Sequence, residues 1–250
     1  MNTLPILFRR LLQVLCAALA LPALAGSGPD CSRPLTLALH DHGLLYSSVT
    51  GEGIDKDFAD ELIRRSGCRI NVTMMPRARI WQLIETGGLD FSLSGVSNES
   101  RERFAGFAWY FSNKYYLLVR RDSGVQSAAD LERQADLRLG VIRSFRYSPT
   151  ANRLADTLDR QQRVSYANAL APLYQLLQAG QIQAMIIEPF DYPALESASI
   201  REKTRVLPFE DAPVPHGLIM SKQSIPPEEQ ARWRAIVGEM RADGTVQRIF

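Results

Sequence analysis

The residues able to do chemistry in this chain are few in kind: the cysteines Cys31 and Cys68, three histidines, and charged residues in loops that follow predicted strands. No Gly-x-Ser-x-Gly elbow, glycine-rich phosphate loop or His-Glu-x-x-His pair is present, so there is no ready-made nucleophile, nucleotide cradle or zinc centre. What the chain offers is opposite charge. A fixed cation for a carboxylate and a carboxylate for an ammonium would hold a small zwitterion, and both contacts strengthen in a desolvated cleft. Glu188 closes a predicted strand, the end at which open α/β sheets bind ligands. The loop Arg143-Ser144-Phe145-Arg146-Tyr147 precedes a helix start, so its backbone N–H groups are placed to meet an anionic group. Arg79 sits near the start of another helix, at the edge of a predicted sheet. His40 and His42 alternate as the chain leaves a strand and His216 stands alone; all three read as structural or solvated. Cys31 and Cys68 have neither Cys-x-x-Cys spacing nor a histidine pattern around them, so no metal and no cofactor is expected.

These residues are positioned by alternating strands and helices. Leu35–Leu39 reads as a strand, and Phe58, Ala59, Leu62 and Ile63 mark one face of a helix that Gly67 stops. Arg69–Met75 alternates as a strand, Pro76 opens a helix carrying Ile80, Leu83 and Ile84, and Asp90–Ser94 makes a third strand. Tyr115–Arg121 breaks this rhythm. Ser127 and Asp130 are then spaced as a capping box, followed by strand Arg138–Ile142, a helix from Ser148-Pro149, strand Arg163–Ala167, a helix capped by Asn168, and strand Ala184–Glu188. Pro208, Pro213 and Pro215 mark a second crossing, after which Gly217–Met220 and a helix from Pro226 to Asp243 complete the chain. Such alternation predicts an α/β protein of two mostly parallel sheets flanked by helices and joined by two crossover strands. The expected division is 26–113 plus 214–250 as a discontinuous first lobe, with 114–213 inserted as the second. Trp109, Tyr110, Tyr115 and Tyr116 flank the first crossing and are expected to pack between lobes.

Residues 1–25 read as a cleaved export signal: Arg9 and Arg10 precede the apolar run Leu11–Leu21, and Ala23-Leu24-Ala25 supplies the small-residue cleavage site. The run is short of the ~20 residues needed to span a bilayer. An exported, periplasmic protein with no membrane insertion is therefore expected. The full chain carries 29 basic and 27 acidic residues. Removing the signal takes away two arginines and no acid, leaving the two kinds equal and interspersed, which argues against nucleic acid as a partner. Cys16 leaves with the signal. Cys31 and Cys68 then stand just ahead of the first two strands, and in an oxidising compartment they predict a disulfide.

Several stretches carry a resemblance in the same order and spacing. They are Gly53-Ile-Asp-Lys-Asp-Phe58 with its helix to Ser66-Gly67; Met75-Pro76 with Arg79, Thr86-Gly87 and Asp90; Ser94-Gly95-Val96-Ser97 with Arg101; Ser127–Leu131; and Arg241-Ala-Asp-Gly-Thr245. Over residues 33–250 the chain resembles the family 3 solute-binding proteins of bacterial ABC transporters. The resemblance implies a type 2 periplasmic-binding fold that closes by a hinge on a small polar ligand, an amino acid or related carboxylate, and delivers it, as a monomer, to a membrane permease. By family position Arg101, assisted by Ser94 or Ser97, would hold the ligand carboxylate, Glu188 would receive its ammonium, and Tyr46 would supply an aromatic floor. The loop is one residue shorter than usual, so the ligand arginine is Arg101 or Arg103. A periplasmic sensor without a permease, and an enzyme resembling cyclohexadienyl dehydratase with Glu188 as general acid, are the alternatives.

Overall fold

The computed structural model describes residues 28–195 and 197–250; the expected export signal lies outside the described residues. Among the described residues ten strands form two five-stranded sheets. In the first lobe these are β1 (Leu35–Leu39), β2 (Ile70–Met74), β3 (Phe91–Gly95), β4 (Ala105–Asn113) and β10 (Val214–Ser221), in the order β2-β1-β3-β10-β4. The second holds β5 (Tyr116–Arg120), β6 (Leu139–Ile142), β7 (Val164–Ala167), β8 (Ala184–Ile187) and β9 (Thr204–Pro208), in the order β7-β6-β8-β5-β9. The helices are α1 (Ile54–Ser66), α2 (Arg77–Thr86), α3 (Glu99–Glu102), α4 (Ala128–Arg133), α5 (Pro149–Arg160), α6 (Leu170–Gln178), α7 (Tyr192–Leu195), α8 (Ala198–Arg201), α9 (Pro227–Ala242) and α10 (Thr245–Ile249).

Both sheets are mixed. Three strands of each pair with one another in parallel, and one strand of each sheet lies antiparallel to both its neighbours: β10 between β3 and β4, β5 between β8 and β9. Strand order reverses beside β1 and again beside β6, so the loops after β1 and β3, and those after β6 and β8, emerge at switch points where α/β sheets open a crevice. The lobes face each other through these loops.

Local chemistry explains the elements that position the crevice. α1 carries Asp55 and Asp57 in its first turn and Arg64 and Arg65 in its last, matching the helix dipole, and Gly67 ends it in the left-handed region at φ 67°. Its apolar face, Phe58, Ala59 and Leu62, packs with Leu37, Phe91 and Trp233 in the first core. α4 is capped by Ser127, whose hydroxyl accepts from the Asp130 N–H, as the capping box predicts. Buried Arg163 donates to the carbonyls of Leu131, Glu132, Gln134 and Leu137, satisfying the groups that the end of α4 leaves unpaired.

Three expectations need correction. The residue before α6 is Ala169, not a capping Asn168, and no side chain caps that end. Residues 105–113, not read as a strand, form β4: they are apolar nearly throughout because β4 pairs with β10 and packs against α9, so no period-2 pattern marks them. Tyr110 does not lie between the lobes; it stacks on Phe58 at 4.1 Å inside the first core, while Trp109 stacks on Phe107.

Cys31 and Cys68 are bonded, with Cα atoms 4.9 Å apart where β1 and β2 begin side by side. The bridge ties the segment before β1 to the strand it pairs with. Replacing both cysteines by alanine should cost about 2–4 kcal/mol, because the unfolded chain loses a loop constraint. Urea unfolding of wild type and double variant checks this; equal midpoints would contradict it.

Candidate functional site

Four loops meet at the crevice. The loop after β1 brings His40 and His42, both 3 % exposed, toward the second lobe. Gly43 follows at φ 51°, and a Cβ there would lie 2.2 Å from the Phe190 carbonyl oxygen. That missing carbon lets the loop dock, and the Leu44 N–H donates to the same carbonyl at 2.9 Å. The His42 ring lies 5.3 Å from that of His40 and 5.0 Å from that of Phe145, which belongs to the loop after β6.

Arg77, in the first turn of α2, is buried. It donates to the Leu93 carbonyl at 3.1 Å and to the His40 ring at 2.7 Å, and its guanidinium carbon is 5.6 Å from the Phe145 centroid. Burial lowers its pKa to about 10, and burial beside Arg77 holds His40 well below the usual histidine range, so His40 is a neutral acceptor. Ser94, the residue before the last of β3, is in the left-handed region at φ 51°, its hydroxyl donating to Asp55 at 2.6 Å. Burial raises Asp55 to about 6.

Arg101 sits in the last turn of α3, where the Asn98 side chain accepts from its N–H at 2.8 Å. Its guanidinium donates to the Val96 carbonyl at 2.7 Å and, across the crevice, to the Ser144 carbonyl at 2.6 Å. Its face lies on the Trp81 ring at 3.9 Å. It is 8 % exposed, and among the described residues no carboxylate pairs with it. Burial, then the charges of Arg77 and Arg146, lower its pKa to about 9.

Glu188, directly after β8, is compensated instead. One oxygen is 2.5 Å from His42 Nε2, the other accepts from the Asn113 side chain at the crossing, and the Glu188 N–H donates to Asp191 at 3.0 Å. Burial pushes the Glu188 carboxyl up, but the charge and hydrogen bond of His42 outweigh it and hold it ionised below its ordinary range. Burial alone would lower His42; Asp191 and Glu188 reverse this and raise it. Asp191 is raised to about 7 by burial, with Glu188 adding to the shift and His42 opposing it. His216 Nδ1 donates to the Val214 carbonyl at 2.8 Å and Nε2 accepts from the Tyr115 hydroxyl at 2.8 Å.

The space enclosed is about 10 Å³, the size of one water, walled by His40, Arg77, Ser94, Arg101, Phe145 and Glu188. It opens past Trp81, Arg101 and Ser144 into a groove of about 430 Å³ that reaches Tyr166.

Of the residues expected from sequence, Ser94, Arg101, Ser144 and Glu188 converge here. Tyr46 does not: it packs against the first core, and Leu45 lines the cavity in its place. Ser97 lines a separate groove with Pro213 and Val214. Arg79 is exposed and bonds Gln82 at 2.8 Å, and Arg103 is exposed and bonds Ser100; Arg77, one helical face away, enters the crevice. The histidines are buried rather than solvated. Arg77, Asp55, Asn113 and Asp191 were not anticipated. Among the described residues no group of three or more His, Cys, Asp or Glu could hold a metal ion, and no helix is long and apolar enough to cross a membrane.

A family model, bacterial extracellular solute-binding proteins, family 3, matches residues 42–250. Among solved structures, an ancestral arginine-binding protein bound to arginine is similar at a TM-score of 0.72 and 17 % identity, over 88 % of this chain and 97 % of that one. The arginine-, lysine-, histidine-binding protein ArtJ from Geobacillus stearothermophilus is similar at 0.73 and 17 %, over 87 % and 93 %. The ancestral amino-acid-binding protein AncCDT-1, a precursor of cyclohexadienyl dehydratase, is similar at 0.70 and 19 %, over 86 % and 92 %. At these identities the likeness establishes the fold. No curated protein sequence matches the chain.

Two predictions follow from this geometry. Gly43→Ala puts a methyl group against a backbone carbonyl that cannot swing away, at a positive φ that itself disfavours alanine, so the closed arrangement should lose on the order of 1–3 kcal/mol. Small-angle scattering should give the variant a larger radius of gyration than wild type; equal radii would contradict the docking role. The second concerns Asp191, whose carboxyl the fold raises from its ordinary 3.8 to about 7. Its contribution to stability is complete below the unfolded value and is lost as pH rises through the folded one. Asp191→Asn keeps an acceptor for the Glu188 N–H and removes this loss. Relative to wild type it should gain more than ~1 kcal/mol in urea unfolding between pH 5 and pH 8. A pH-independent difference would overturn the assignment.

Proposed function

We propose, from the premise that the chain belongs to the bacterial extracellular solute-binding proteins of family 3, that it captures a small carboxylate, an amino acid or a related acid, between its lobes and presents it to an ABC-type membrane permease. The observation that carries this reading is Arg101: a guanidinium buried at the lobe junction whose contacts are two backbone carbonyls and an indole face. Carbonyl dipoles ease such a charge without neutralising it, and the remaining cost of burial is several kcal/mol per ion. A ligand carboxylate entering between Arg101 and the Ser144 loop would supply the missing charge with bidentate geometry. Because Val96 and Ser144 lie on different lobes, the anion would be grasped only when the lobes are together.

Hinge closure is supported by the connections. The lobes are joined at residues 114–115 and 209–213, and each keeps its own core. An enzymatic role for Glu188 is not favoured, because a carboxyl held ionised by His42 is a poor proton donor.

The test begins with a thermal-shift screen of small carboxylates, in which a ligand of the folded state raises the unfolding temperature with its concentration. For an acid so found, Arg101→Ala should weaken binding in calorimetry by about 2–5 kcal/mol, whereas exposed Arg103→Ala should cost less than ~1 kcal/mol. Unchanged affinity in Arg101→Ala would refute carboxylate capture at this site.

A further inference from the structure

We propose that the crevice is built for a carboxylate that carries no neighbouring ammonium group, because His42 of the chain itself occupies Glu188, the acid that would otherwise receive one. This inference rests on carboxylate capture by Arg101 and narrows it to 2-hydroxy, 2-oxo or unsubstituted acids.

Three observations carry it. The first is occupancy. Both Glu188 oxygens are engaged, one by His42 Nε2 at 2.5 Å and the other by Asn113, and the carboxylate is 3 % exposed. Each oxygen keeps a further lone pair, but an ammonium has three protons to place and would have to share this buried carboxylate with His42 and Asn113. The second is that His42 is not a mobile plug. Its N–H donates to the Tyr46 carbonyl at 2.9 Å, its ring stacks beside His40 and Phe145, and the next two residues are seated on the Phe190 carbonyl of the opposite lobe. Expelling it would undo the contact between the lobes that closure makes.

The third is the sign of the charge left over. With His42 and Glu188 paired, the charged groups walling the cavity that lack a carboxylate partner among the described residues are Arg77 and Arg101. The other acids are set back. Asp55 lies behind Ser94 and accepts its hydroxyl, and Asp191 accepts the Glu188 N–H and stands 3.6 Å from His42. Neither lines the cavity. An ammonium placed there would face two guanidiniums and a carboxylate already paired, whereas a carbonyl or hydroxyl oxygen at the same carbon could accept from Arg77.

The experiment compares acids that differ only at that carbon: alanine with lactate and pyruvate, phenylalanine with phenyllactate and phenylpyruvate, glutamate with 2-hydroxyglutarate and 2-oxoglutarate, each with its unsubstituted acid. Calorimetry on wild type should give the hydroxy, oxo or unsubstituted acid of a series at least about tenfold tighter binding than the amino acid. His42→Ala, which frees Glu188, should bring the amino acid to equal or tighter binding than the favoured acid of its series. The wild-type ratio needs no variant and decides even where His42→Ala does not fold. An amino acid that binds wild type about tenfold more tightly than its partners, with loss in Glu188→Gln, overturns this inference and leaves carboxylate capture intact. Equal binding within every series overturns it too. Binding by no member of the panel removes carboxylate capture itself, and the inference falls with it.

Discussion

A guanidinium held out of water with no carboxylate beside it is the constraint on which the crevice depends. Taking such an ion out of water costs several kcal/mol even after relaxation. Arg101 meets that cost in part, through the Val96 and Ser144 carbonyls and the Trp81 face. Each partner is a dipole or a quadrupole, so the net charge remains. Arg77 is likewise unpaired at contact distance, held by the Leu93 carbonyl, the Ser92 hydroxyl and a neutral His40, with Asp55 and Glu188 acting on it from farther away. Glu188 is not, since His42 neutralises it. The junction is therefore short of negative charge at the place where exclusion of water makes an incoming anion most effective.

The fold exists to bring these groups together from distant parts of the chain. Two sheets of like topology put their switch points face to face, so four loops converge although their residues span 40 to 191. Both lips carry a non-glycine residue in the left-handed region, Ser94 at φ 51° and Ser144 at φ 61°. That conformation costs of order 1–3 kcal/mol and persists only where surrounding contacts impose it. Here they do: Ser94 is tied to Asp55 and Tyr110, and the Ser144 carbonyl to Arg101. Asn113 links the crossing itself to Glu188, so the strand that joins the lobes also senses the group that bridges them.

How much of this was legible in the sequence followed from what each feature depends on. Helices such as α1 and α9, with an apolar face and a glycine or proline at their ends, could be read because their signals are local. The Cys31–Cys68 bridge was legible because two cysteines stand just ahead of two strands expected to lie side by side. β4 was not, because a strand covered on both faces loses its alternation. At the site, Arg101 and Glu188 were reached through a family resemblance, and Ser144 through its place before a helix. Arg77 was missed in favour of Arg79: two residues apart, they point about 200° apart around a helix, and only the packed lobe decides which faces inward. His42 had no sequence signal beyond its position after β1. Its role comes from pairing with a glutamate 146 residues away, a contact that no local pattern encodes.

The most direct measurement is a crystal structure of the protein with the tightest-binding acid of the series above. On the present account the ligand carboxylate lies about 2.7–3.0 Å from the Arg101 guanidinium, in place of the Ser144 carbonyl, with His42 still on Glu188. A ligand bound elsewhere, with Arg101 still donating to Ser144 as it does here at 2.6 Å, would contradict it.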